Sequence, residues 1–245
     1  MIAALPMYDR AETAPANDRL WHLIRKALGH GPDTLTRDGD PWDIWTAPDL
    51  LLAQTCGLPF RARLHDQVTL VGTPDYGLPD APPGHYYSVI VARVDDRRDL
   101  VGLCNGTLAY NEALSQSGWA APQAHLDPLG QRPSQLLQSG AHRASAQAVV
   151  QGHADFAALD AVSWALMRRH DRFAPHLREV AHTAPTPGLP LITAKGGDAR
   201  GLHAAVAQGV AQLSPQDRDT LHLRGLVWIP ADSYRSQPIP KPPGE

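Results

Sequence analysis

Short β-type runs alternate with helix-patterned segments along the whole chain, and this alternation restricts the fold more than any other feature. Ser88-Val89-Ile90-Val91-Ala92 is the most β-like stretch, inside a longer strand pattern from Tyr87 to Val94. Ile2–Leu5, Leu50–Ala53, Val68–Val71, Leu100–Cys104, Phe156–Leu159, Leu177–His182 and Leu189–Ala194 also read as strands. Between them, Asn17–Leu28 carries Leu20, Trp21, Leu23, Ile24, Ala27 and Leu28 at helical spacing. Asn17 is its expected N-cap, and Gly29 and Gly31 end it. Helices are also expected from Ser115 onward, over 142–150, 161–169, 198–213 and 215–221. Trp42 and Trp45 fall in an expected loop, as lid or packing aromatics. This pattern predicts an α/β architecture. The Pro-rich tail from Gln237 to Glu245 is expected to fray.

Length and charge narrow the function classes. A chain of 245 residues suits two lobes better than one core. With 43% apolar and 19% charged residues it is globular, and a net charge of -3 argues against a nucleic-acid partner. No run reaches the ~18 apolar residues of a membrane span, so no membrane insertion is expected. The start, Met1 to Arg10, lacks a basic, apolar leader, which predicts a cytoplasmic protein. A chain trimmed of its leader would read the same way and be periplasmic. Cys56 and Cys104 are distant in sequence and are read as two buried thiols. There is no P-loop, G-x-S-x-G, G-x-G-x-x-G or zincin spacing, so neither a cofactor nor a metal is expected.

Four segments occur in a characteristic order. Ser115-Gln116-Ser117-Gly118 opens a helix, and Ser139-Gly140-Ala141-His142 opens the next. The strand segment Gly152-His153-Ala154-Asp155-Phe156-Ala157-Ala158-Leu159-Asp160 follows, and then the turn Pro185-Thr186-Pro187-Gly188-Leu189-Pro190. This set resembles the phosphate/phosphonate substrate-binding proteins of ABC transporters over about residues 50–195. The resemblance implies a two-lobed type II periplasmic-binding-protein fold, with two crossing strands forming a hinge. Residues 1–92 and 183–245 would make lobe one, and 93–182 lobe two. The ligand would be a small, phosphonate- or phosphate-like anion in the cleft between the lobes. An ABC permease would be the partner if the chain is exported.

Within that frame, Ser115, Gln116 and Ser117 form the best anion site, because hydroxyls and unpaired N–H groups converge at a helix N-terminus. Plain capping is the alternative role for Ser115. His142 is either a donor to an oxyanion or a solvated first-turn residue. Asp160 is either a carboxylate facing a ligand hydroxyl or amine, or the cap of the helix after it. Tyr8, Gln54, Thr55, Tyr87 and Thr183 sit at strand ends where ligand contact and packing both fit. A second class stays open: a cytosolic enzyme on the same fold, like menaquinone-pathway enzymes or pyrimidine-precursor synthases, with His142 and Asp160 as its acid/base pair. A regulatory effector domain is the weaker third reading, since no DNA-binding segment is attached.

Overall fold

The structure is a computed structural model that describes residues 1–244. Its strands are β1 (Ile2–Ala4), β2 (Leu50–Gln54), β3 (Val68–Asp75), β4 (His85–Tyr86), β5 (Ser88–Arg93), β6 (Thr107–Tyr110), β7 (Gln135–Gln138), β8 (Phe156–Asp160), β9 (Leu177–His182), β10 (Thr186–Pro187), β11 (Leu191–Ala194) and β12 (Gly225–Val227). The longer helices are α1 (Ala14–Leu28), α2 (Ala121–Leu126, entered through a π-turn at Gln116–Ala120), α3 (His142–Val150), α4 (Ala161–His170), α5 (Ala199–Gln212) and α6 (Pro215–Leu221). The chain divides into two compact units. Unit one comprises 1–85 and 187–236, and unit two comprises 86–186 and the tail from Gln237.

The division differs from boundaries at 92/93 and 182/183, for a reason visible in β5. This strand pairs antiparallel with β8 on one side and β9 on the other, so it lies inside unit two's sheet. Four consecutive residues, Val89 to Ala92, are buried on both faces, as a central strand requires. The chain passes between the units in β4 and β10, which form a two-stranded ladder of their own.

Unit one is a five-stranded sheet ordered β1-β2-β11-β3-β12. On one face α1 and α5 bury Leu20, Trp21, Ile24, Leu202, Val206 and Val210 against Leu52, Val71 and Leu191. Each such aliphatic side chain contributes about 1.5–3 kcal/mol by leaving water. On the other face Phe60 and Tyr234 meet edge to face at 5.2 Å. Unit two is a second five-stranded sheet, ordered β7-β6-β8-β5-β9. Its core joins Ile90, Leu108, Phe156, Leu103, Trp119 and Leu126.

Several local expectations are corrected. Helix α1 starts at Ala14, with Pro15 in its first turn where the missing N–H costs nothing. Asn17 is therefore not a cap: it is buried, and its Nδ2 donates to Asp9 at 2.9 Å. Leu100–Leu103 is a helical turn, not a strand, because the Asp99 carboxylate caps it by accepting from Gly102 N–H at 2.8 Å. Pro41–Trp45 is a short helix, not a loop, started by Asp40, which accepts from Trp42 N–H at 2.7 Å. The tail is held rather than frayed, since the Trp119 indole N–H donates to the Lys241 carbonyl at 2.9 Å; Glu245 lies outside the described residues. Cys56 and Cys104 fall in different units, and burial pushes the Cys104 thiol pKa up.

Candidate functional site

In unit two the sequence-derived residues gather at the end of β6. The chain leaves β6 at Tyr110 and turns at Ser115, whose extended backbone marks it as an N-cap. Ser115 Oγ accepts from Gly118 N–H at 3.0 Å, so this hydroxyl does serve as a cap. Ser117 Oγ lies 2.8 Å from His142 Nε2, joining the first turn of one helix to the first residue of α3. Ser115, Gln116 and Ser117 are all buried. The first N–H groups of a helix have no intrahelical acceptor, and its dipole favours negative charge at that end.

His142 is neutral at physiological pH. Burial pushes its pKa down to about 4, with the Ala158 carbonyl opposing part of the fall. The pair Ser117–His142 thus adds hydrogen-bonding capacity without adding charge. Asp160 is 2% exposed and caps α4, its Oδ1 accepting from Ser163 N–H at 2.8 Å. Through the β5–β8 register Asp160 stands opposite Ser88. Ser88 Oγ donates to the Ser117 carbonyl at 2.8 Å, and Ser88 N–H donates to Thr183 Oγ1 at 2.9 Å. Thr183 and Ser117 are therefore linked through one buried serine. Gln116 Nε2 reaches Thr186 Oγ1 at 3.4 Å. Tyr87 instead stacks on His182 with ring centroids 4.8 Å apart.

Two residues in this cluster were not singled out in the sequence. Ser88 was hidden in the most β-like run, where a serine reads only as a strand residue. Asn111 sits over the turn: a Cβ placed on Gly118 would stand 1.8 Å from Asn111 Oδ1, which is buried and makes no hydrogen bond. The freedom of Gly118 thus admits an asparagine side chain against the turn. Ser145 is fully buried, and its Oγ lies 2.7 Å from Ser139 Oγ in the loop that precedes His142.

Tyr8, Gln54 and Thr55 belong to unit one, and the first two meet around a residue the sequence did not flag, Tyr76. Gln54 Nε2 donates to Tyr76 Oη at 3.0 Å and to the Leu189 carbonyl at 3.4 Å. The Tyr8 and Tyr76 rings meet edge to face at 4.9 Å. Thr55 is fully buried, and its Oγ1 has no partner. Among the described residues no group of three or more His, Cys, Asp or Glu side chains gathers.

Residues 52–232 match the family of ABC transporter, phosphonate, periplasmic substrate-binding proteins. The chain belongs to this family. No curated protein matches it in sequence. Solved structures that share the fold include PhnD1 from Prochlorococcus marinus in complex with methylphosphonate, at 17% identity and a TM-score of 0.71, covering 96% of this chain and 94% of that one. XAC2383 from Xanthomonas citri, bound to ATP, gives 19% identity and a TM-score of 0.67 over 96% and 93% of the two chains. A binding-protein component of an ABC phosphonate transporter from Pseudomonas aeruginosa gives 15% and 0.70 over 95% and 82%. The fold is that of the type II periplasmic binding proteins, and this phosphonate-family solute-binding protein binds a small ligand. The cytoplasmic location expected from the N-terminus finds no support, because the family acts in the periplasm.

Proposed function

We propose that this phosphonate-family protein binds a small tetrahedral oxyanion at the Ser115–Ser117 turn of unit two and, in the periplasm, hands it to an ABC permease. The observation that carries the reading is the part-buried 2.8 Å contact between Ser117 Oγ and the neutral His142 imidazole at a helix N-terminus. Hydroxyls and backbone N–H groups suit an oxyanion there, and the helix dipole supplies positive potential without a cation. The buried Asp160 favours a ligand that still carries a proton to donate, such as a phosphonate or phosphate monoanion, over a fully ionised sulfate. Thr183 supports the turn through Ser88 rather than seating the head group, and Tyr8, Gln54, Thr55 and Tyr87 are given no contact with it in this reading.

The test is calorimetry with methylphosphonate and inorganic phosphate on the wild type and Ser117→Ala. A hydrogen bond to a charged group is worth about 1.5–3 kcal/mol, so the substitution weakens binding by about one to two orders of magnitude. Ser236→Ala, at an exposed hydroxyl in unit one, serves as the control and leaves affinity unchanged. Equal affinities for wild type and Ser117→Ala would overturn the assignment.

A further inference from the structure

Within unit two, the Ser117–His142 pair is incomplete in the ligand-free protein. His142 Nε2 lies 2.8 Å from Ser117 Oγ. The ring is part-buried, and its other nitrogen, Nδ1, is sealed from solvent with no hydrogen-bond partner among the described residues. A neutral imidazole carries one N–H and one lone pair. With its proton on Nε2, the ring donates to Ser117 Oγ and frees the serine proton for a ligand, but the Nδ1 lone pair is buried unmet. With its proton on Nδ1, a buried N–H is unmet and the serine proton is spent on Nε2. Leaving such a group unmet costs free energy. No nearby charge offsets it. Helix α3 packs against β5, β6, β8, β9 and α4. Arg93 of β5 donates to the Val149 and Ala154 carbonyls, at the far end of α3. On β9, Arg178 donates to the Asp96 and Arg98 carbonyls, and Glu179 pairs with His182 and with Arg168 of α4. Asp160 of β8 caps α4, whose Arg169 and His170 stand in its last turn. Arg143 of α3 pairs with Asp171, and burial raises the pKa of Tyr110 on β6, which stays neutral. None of these groups shifts the His142 pKa, which burial lowers to about 4 against the opposing pull of the Ala158 carbonyl of β8.

We infer that His142 is a positioning residue whose protonation is coupled to binding: an oxyanion at Ser117 draws a proton from solvent onto Nδ1, and the imidazolium holds the serine hydroxyl turned toward the anion. The inference rests on the oxyanion reading of the Ser115–Ser117 turn and adds the regulation of that site by pH. In the complex every group of the pair is met. Nε2–H donates to Ser117 Oγ, the serine O–H donates to the anion, and Nδ1–H faces the Ala158 carbonyl, the backbone group that already favours a protonated ring. An oxygen hydrogen-bonded to Ser117 Oγ stands within about 5–6 Å of Nε2. At that range an opposite charge favours the charged form of a titrating group, and charge-assisted hydrogen bonds are the stronger kind. Neutrality of His142 thus belongs to the ligand-free protein, where no anion offsets the cost of burying the charge.

The experiment is NMR of the whole chain with nitrogen-labelled histidine at about pH 6, with and without methylphosphonate, beside a phosphorus spectrum of the bound ligand. The His142 ring is expected to show one protonated and one bare nitrogen when free, and two protonated nitrogens when bound. The phosphorus shift separates a proton on the phosphonate from one on the ring. Calorimetry supplies a second readout. As pH falls from about 7 to about 5, wild-type affinity for methylphosphonate is expected to climb by up to about tenfold per pH unit more than that of His142→Gln, because each proton taken up adds that slope. The extra climb ends near pH 4, where the free ring is itself protonated. The spectra need only the wild type and decide the matter if His142→Gln does not fold. A ring that stays neutral in the complex, or a pH slope that His142→Gln shares, overturns the inference and leaves the oxyanion reading standing. Failure of methylphosphonate and inorganic phosphate alike to bind removes the oxyanion reading, and the proton coupling falls with it.

Discussion

Substituting Gly118 with alanine tests how the proposed anion-binding turn is built. An added Cβ would lie 1.8 Å from Asn111 Oδ1, a distance no carbon tolerates, and 3.0 Å from its Cγ, a tight contact. Either the amide swings away or the turn carrying Ser117 retreats. Inserting a methyl into a packed site costs about 1–3 kcal/mol. In a chain of this size each 1 kcal/mol moves the melting temperature by about 2–4 °C. Gly118→Ala is therefore expected to melt about 2–12 °C lower and to bind the oxyanion more weakly, since Ser117 follows the turn. The double variant Asn111→Ala/Gly118→Ala removes the obstacle. Because Asn111 Oδ1 makes no hydrogen bond, removing it forfeits little, and the double variant should recover most of the lost stability. Differential scanning calorimetry of the four proteins gives the coupling directly, expected at about 0.5–3 kcal/mol in the favourable sense. Strictly additive effects, or a Gly118→Ala protein that melts and binds like the wild type, would refute the close-approach argument.

Other outcomes follow from buried polar groups. Tyr234→Phe removes the 2.5 Å contact between the Tyr234 and Thr73 hydroxyls, both buried, and leaves the threonine unsatisfied. It should cost about 1–3 kcal/mol by denaturant midpoint, and less when combined with Thr73→Val. His142 sets a pH dependence. Its folded pKa, about 4, lies below the ordinary 6.5, so the unfolded chain takes up a proton first as pH falls. Its contribution to stability is therefore full above pH 6.5 and declines between 6.5 and 4. His142→Gln should flatten that part of the stability profile, and an unchanged slope would show that the imidazole does not report on folding.

The fold was legible where pattern and burial agree. The β-like run at 88–92 announced a strand, though not its central place in unit two's sheet, and the spacing of Leu20, Trp21 and Ile24 announced α1. What was not legible depended on partners distant in sequence. Gln135–Gln138 is mostly exposed and carries no apolar alternation; it is a strand because β6 offers it a parallel edge. Gly225–Val227 is a strand because β3 extends past β11 and leaves an edge to pair. Leu100–Cys104 looked like a strand by composition, yet Asp99 just before it made a local cap stronger than that preference. At the site, Ser115, Ser117 and His142 were legible because helix starts leave a local signature. Ser88, Asn111 and Tyr76 were not, since their roles arise from contacts 29, 7 and 22 residues away respectively along the chain.

The most direct test of the central claim is a crystal structure of the protein grown with methylphosphonate. The expected result places a phosphonate oxygen within hydrogen-bonding distance of Ser117 Oγ, at the N-terminal turn beside His142. Methylphosphonate bound to other residues, with the Ser117–His142 contact still at 2.8 Å and no ligand oxygen near it, would contradict the proposed function.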